Sequence, residues 1–323
     1  MKKVSRYAFI TGAVLILIAL IWSGFSWHRI HDDIQRISHQ DFTSKQAAFD
    51  SDSVQNINVN ISDVAVSIKT RTDASHVRVA YFADKADAFK VTDSNSTVSI
   101  SRIKTGTGEN YFCIFRCLSG PGTITIYVPA NSAYRYDLTA SNASVSFDNA
   151  GPLQTQAIHV SSSNSTITLQ QITANGTISL DSDNGSIHLQ DVTAGGKLSL
   201  DSSNASNVLS NVKAPSITSK TTNGSATLDT VAATDVTVNT SNATIALDRL
   251  EADRISLSSN NGGVTGTIVG SKTDYDTRIS SDNGGVQVNG IRYNGAYFSD
   301  GGNPAKSLTI KSSNAPVHIK FAQ

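Results

Sequence analysis

Asp181 and Asp201 stand 20 residues apart in matching contexts, SLDSDN and SLDSSN. Paired carboxylates are what glycoside hydrolysis needs: one protonates the leaving oxygen while the other activates water or attacks carbon. Asp183 and Asp191 lie close by in sequence. The matching positions of the next two repeats are Lys220 and Asn239, however, and no Lys/Arg cluster accompanies the acids. The aspartates therefore read as a solvated acidic edge, and no residue is assigned as catalytic. His28, His31 and His39, with Asp32 and Asp33, read as solvated side chains rather than metal ligands. The Asp/Asn/Gly turns lack the nonapeptide calcium pattern, so the expectation is no metal and no cofactor. Outward pairs such as His159/Ser161, Ser179/Asp181 and Thr218/Lys220 are too mixed for the flat threonine array of an ice-binding face. Asn-x-Ser/Thr triplets at Asn164, Asn175 and Asn242 follow from Ser/Thr/Asn-rich turns and carry no further reading. Cys113 and Cys117 read either as a small disulfide, favoured on an oxidising side of a membrane, or as two apolar loop residues.

The elements that hold these residues follow from an internal repeat. A Ser/Asp/Thr/Asn–Asn–Gly/Ala/Ser unit recurs at Asn142, Asn164, Asn184, Asn204, Asn223, Asn242, Asn261, Asn283 and Asn314. Steps from 142 to 283 are 22, 20, 20, 19, 19, 19 and 22 residues, and the last, to 314, is 31. Apolar residues flank each Asn at fixed offsets: Ile178, Leu180, Ile187, Leu189 and Val192 around Asn184; Val236, Val238, Ile245, Leu247 and Leu250 around Asn242. The template reaches back to Asn95, and Asp63 takes the Asn place at the start. Apolar residues two apart share one face of a strand, so each repeat reads as two short half-buried strands joined at the Asn. Asn and Gly suit such a bend because they tolerate the left-handed backbone region.

One such coil cannot bury its inward face alone, but a stack can. The expected fold is an all-β parallel solenoid of about eleven rungs, on the order of 50 Å long at about 4.8 Å per rung. Stacked asparagines are expected to form an internal amide ladder. Asn207, Ser219, Ala226 and Gly266 interrupt the aliphatic template, which predicts looser packing between 204 and 266. Insertions near 104–122 and 292–307 break the period. Their aromatic residues, Tyr111, Phe112 and Phe115 in the first and Tyr293, Tyr297 and Phe298 in the second, are the expected contact surface, since function tends to sit on loops held by a scaffold. Pro316, His318 and Lys320 are expected to protect the last edge from pairing with other chains.

Residues 8–25, AFITGAVLILIALIWSGF, carry no charge and would span roughly 27 Å as a helix. Lys2, Lys3 and Arg6 precede them and place the N-terminus inside. An uncleaved anchor is favoured over a cleaved signal peptide, because the run ends in bulky residues without a small-x-small site. The chain therefore divides into a cytoplasmic tail (1–7), a transmembrane helix (8–27), a juxtamembrane linker or helix (28–50) and an extracytoplasmic solenoid (51–323). Of its 323 residues, Lys+Arg and Asp+Glu number 26 each, so no net field draws in nucleic acid.

The opening INVNISDVAVSIKT, the strand-then-proline run TITIYVPA at 123–130, and the repeats LTASNASVSF and SSNSTITL resemble the bacterial Toastrack family of adhesin-labelled β-strand repeats. The resemblance covers about residues 52–323. It implies a β-repeat domain following a transmembrane helix, an envelope role, sometimes beside envelope-stress signalling, and no catalytic residues. The resulting expectation is a non-enzymatic, membrane-anchored surface protein that binds wall polymer or another surface. The alternative is an accessory of an envelope-stress sensor acting through a membrane partner; a polysaccharide-active enzyme ranks below both.

Overall fold

The computed structural model describes residues 43–71, 75–83, 87–104, 123–130, 133–149, 151–300 and 306–322. The helix expected at 8–27 lies outside them, and among the described residues no helix is long and apolar enough to cross a membrane. Residues at the end of the expected linker form a strand, Thr43–Asp50, paired with His76–Ala83.

Alternation of apolar and polar residues sets the strands, and their 19–20-residue spacing sets the stack. In one repeat, Ile178–Ser182 carries Ile178 and Leu180 inward, and Ile187–Ala194 carries Ile187 and Leu189 inward. Each strand pairs in parallel with its counterpart one repeat away: Ile178 faces Leu198, and Ile187 faces Asn207. Like residues thus stack into columns, and the aliphatic columns form one continuous core. A repeat has three inward faces, not two. After Leu189 the chain turns at Asp191 (φ 55°) and sends Val192 and Ala194 inward on a further face. Gln171, Asn211, Thr230 and Arg249 make the same left-handed bend in neighbouring repeats, at φ between 52° and 55°. All five are exposed, and each holds a conformation costing roughly 1 kcal/mol or more for a residue with a Cβ. The stacked pairing on both sides of the bend offsets that cost.

Rungs do not stack in chain order at either end. The strand Asn56–Ser62 lies between Thr97–Lys104 and Tyr134–Ser141, so the first repeat is enclosed by the second and third. Likewise Lys306–Ser312 lies between Ile245–Ser259 and Tyr275–Ser281, and Val317–Ala322 between Val264–Val269 and Val286–Val288. The last repeat is therefore interior, and Pro316, His318 and Lys320 protect no edge. Antiparallel strands close the stack instead. Asp87–Ser94 and His76–Ala83 cover one end; Ala296–Ser299 and Ile291–Tyr293 cover the other. The second insertion is thus largely two short strands, each laid antiparallel on a different open strand edge, which otherwise templates pairing with other chains.

The interruptions of the template are accommodated locally. Asn207 and Ser219 are fully buried and bond to each other, Nδ2 to Oγ, at 3.0 Å. Gly266 marks a close approach rather than a hollow: a Cβ there would lie 2.0 Å from the Leu247 carbonyl oxygen. Near the N-terminal end, Tyr136 packs edge-on against Tyr134 and Phe147, but its buried hydroxyl has no hydrogen-bond partner. Burial pushes that phenol's pKa far above its usual value. Tyr136→Phe keeps the ring contacts and removes the orphaned hydroxyl, so stability is expected to hold or rise by about 1 kcal/mol in thermal unfolding. A comparable loss would show that the hydroxyl is satisfied.

Candidate functional site

The Asn corners come first because they frame one side of the site. Asn142 donates through Nδ2 to Asp63 Oδ1 at 3.0 Å, and Asn164 donates to Asn142. The chain of amides continues through Asn184, Asn204, Asn223, Asn242 and Asn261, with each Nδ2 on the previous Oδ1 at 2.7–2.8 Å. It then passes to Asn314 and only afterwards to Asn283, following the spatial order of the rungs. The ladder is exposed rather than internal, because the corner turns its side chain outward. Asp63 ends it: a carboxylate accepts but cannot donate onward, and Arg102 Nη1 approaches its other oxygen at 3.4 Å. Asn95 is not a member. With Ser96 it forms the turn of the antiparallel hairpin at that end, both residues at positive φ.

Behind the ladder lies a signal that sequence reasoning missed, a hydroxyl two residues before every ladder Asn except Asn142, where Ala140 stands. Ser182, Ser202, Thr221, Thr240, Ser259, Ser281 and Ser312 are buried there. Their oxygens accept from the corner backbone, as in Gly185 N–H to Ser182 Oγ at 3.0 Å and Gly224 N–H to Thr221 Oγ1 at 3.0 Å. The Ser/Thr-x-Asn spacing carries that signal in the sequence.

Beside the ladder runs an outward row in strict register: Asp181 beside Asp201, then Lys220, Asn239 and Ser258. Asp181 and Asp201 point the same way from one flat face on adjacent rungs. They cannot flank a glycosidic bond from two sides as hydrolysis requires. Burial raises the Asp181 pKa above its usual 3.8, His159 opposes the shift, and the Asp201 charge adds to it. An acid whose folded-state pKa is raised gives stability at low pH that is lost as pH climbs from 3.8 through the raised value. Asp181→Asn is therefore expected to make the protein more stable near neutrality and to flatten that decline, measured by thermal unfolding across pH.

Between this row and the ladder lies a shallow depression of about 350 Å³ lined by Asp201, Lys220, Thr222, Asn239, Ser241 and Asn260, among others. Its walls offer hydroxyls, amides, one carboxylate and one ammonium. Next to it in the core is the Asn207–Ser219 pair, whose Asn Nδ2 also donates to the Lys220 carbonyl at 3.0 Å. Neighbouring rungs carry Ile187, Leu200 and Val238 at the corresponding inward positions. A break in an otherwise apolar column beside a surface depression is the kind of local rule violation that functional sites show.

The aromatic contact residues separate. Tyr293 and Tyr297 are half-buried, pack on each other with centroids 4.7 Å apart, and cover the core at the C-terminal cap. Phe298 faces outward at 65% exposure, opposite Arg278 on the paired strand. Tyr111, Phe112, Phe115, Cys113 and Cys117 lie outside the described residues. Among the described residues no group of three or more His, Cys, Asp or Glu side chains is placed to hold a metal ion.

A family model described as Toastrack DUF4097 matches residues 54–323. No curated protein matches the chain. Among solved structures, the chain is similar to a putative lipid binding protein from Parabacteroides distasonis, at 9% identity and TM-score 0.47, over 88% of this chain and 98% of that one. It is also similar to a putative adhesin from Parabacteroides merdae, at 9% identity and TM-score 0.43, over 87% and 96% of the two chains.

Proposed function

The chain belongs to the Toastrack DUF4097 family, and on that premise we propose that it is a non-enzymatic surface protein binding a linear envelope polymer. In this reading residues 8–27 anchor it, residues 1–7 stay inside, and a stack of about eleven rungs is displayed outside. The observation that carries the binding reading is the polar depression at Asp201, Lys220 and Asn239, set in a row whose members repeat once per rung. Rungs recur every ~4.8 Å, close to the rise of one sugar in an extended glycan, so successive rungs each offer one polar group to successive units. A polyhydroxylated chain suits walls made of hydroxyls, amides and one charge of each sign. The names of similar proteins, adhesin and lipid binding, agree with a binding role at that coarse level.

The test is co-sedimentation of the full-length protein, in detergent, with isolated cell walls and fractionated wall glycans. Wild type is expected to be retained, and the double variant Asp201→Ala/Lys220→Ala to lose about ten-fold in apparent affinity, near 1.4 kcal/mol. A Lys45→Ala control, at an exposed residue outside the depression, should bind as wild type. Equal retention of all three, or of none, would overturn the reading.

A further inference from the structure

Seven Asn–Gly dipeptides occur, at Asn175, Asn184, Asn223, Asn261, Asn283, Asn289 and Asn294. Such pairs are chemically labile because glycine leaves the following amide nitrogen open to react. That nitrogen loses its proton and attacks the asparagine Cγ, forming a C–N bond and expelling ammonia. Water then opens the cyclic imide to aspartate or isoaspartate. The reaction needs a free amide N–H and a side chain able to swing over its own backbone.

At four corners the fold withholds both. The glycine N–H after Asn184, Asn223, Asn261 and Asn283 donates to a buried hydroxyl, of Ser182, Thr221, Ser259 and Ser281, at 2.9–3.0 Å. Each of those asparagine amides is also held in the ladder at 2.7–2.8 Å. Gly176 N–H donates to the Gln156 carbonyl at 2.8 Å, which ties the Asn175 site into the stack. Asn289 is held by two bonds, its N–H donating to the Ile319 carbonyl at 2.9 Å and its Oδ1 accepting from Phe321 N–H at 2.8 Å. Asn294 has neither restraint. It is exposed, and among the described residues its side chain makes no hydrogen bond and the Gly295 N–H has no acceptor.

We propose that Asn294–Gly295 is a site of spontaneous deamidation and isoaspartate formation, and that the Ser/Thr–Asn corner architecture shields the ladder asparagines from the same reaction. The site joins Ile291–Tyr293 to Ala296–Ser299, the strands that close the C-terminal end of the stack. Gly295 also accepts through its carbonyl from Ser281 N–H at 2.8 Å, tying the turn to the strand beneath. An isoaspartate lengthens the backbone by one methylene in this turn and adds a negative charge. The modified turn therefore loosens the cover over Tyr275–Ser281 and Val286–Val288.

The test incubates the full-length protein in detergent at mildly alkaline pH and follows all seven sites by peptide mapping with isoaspartate detection. In the native protein, conversion at Asn294 should outpace that at Asn184, Asn223, Asn261 and Asn283 by more than about ten-fold, because ladder sites react only after local opening. In denaturant the seven sites should react at similar rates. Native conversion at Asn223 as fast as at Asn294 would overturn the proposal. So would the same ranking in denaturant, since that would assign the difference to neighbouring residues rather than to the fold. Gly295→Ala should slow conversion at Asn294 alone, and an unchanged rate would also count against it.

Discussion

Gly224→Ala should destabilise the protein by about 3 kcal/mol or more, at the upper end of overpacking costs, because the new methyl has nowhere to go. A Cβ at Gly224 would sit 1.9 Å from the Ala205 carbonyl oxygen and 2.2 Å from its carbon. Both are backbone atoms of the adjoining rung and cannot swing aside. From Asn184 onward the residue after the ladder Asn alternates along the stack: Gly185, Ala205, Gly224, Ala243, Gly262, Ala315, Gly284. Over those seven rungs a methyl occupies every second one, and glycine makes room between. The converse change, Ala205→Gly, should cost only about 0.5–1 kcal/mol, through backbone entropy. Thermal unfolding of the two variants side by side measures this; equal losses would mean the corner has slack.

The buried pair Asn207–Ser219 should behave as a coupled unit. Asn207→Leu fills the slot with an aliphatic chain of similar size but strands the Ser219 hydroxyl, at a cost of about 1–3 kcal/mol. Ser219→Ala costs less, because Asn207 keeps its bond to the Lys220 carbonyl. The double variant should return close to wild type or above it. Asn207 Oδ1 is already buried without a partner, so removing both polar groups removes an existing penalty. A double-mutant cycle in denaturant gives the coupling directly. Strict additivity would mean that the two residues do not depend on each other.

The repeat made the parallel stack legible, since a two-residue alternation inside a 19–20-residue period has few other physical solutions. The third inward face is not marked in the sequence, because its bend sits on Gln171, Asp191, Asn211, Thr230 and Arg249, and only Asp191 and Asn211 are residue types that visit left-handed backbone readily. The order of rungs at the ends was not legible either. Any two repeats fitting one template are interchangeable by pattern, and only the three-dimensional packing decides which becomes the neighbour. The 31-residue step from Asn283 to Asn314 did signal an insertion, but not that Asn314 would lie between Asn261 and Asn283. For the site, the Asp181–Asp201–Lys220–Asn239 row could be read from spacing, whereas the depression beside it and the Asn207–Ser219 contact could not. Both depend on which residues of different faces meet across a corner.

The closed ends, the ladder's continuity and the glycine–alanine alternation all rest on the last repeat being interior. Cysteine crosslinking tests this most directly, in the full-length protein with Cys113 and Cys117 replaced by serine. The pairs are Ser256→Cys with Thr309→Cys, Thr309→Cys with Arg278→Cys, and Ser256→Cys with Arg278→Cys. Register places Thr309 beside both Ser256 and Arg278. The first two pairs should crosslink readily and the third should not. Efficient crosslinking of Ser256→Cys to Arg278→Cys, with none to Thr309→Cys, would restore chain order to the stack and contradict the account.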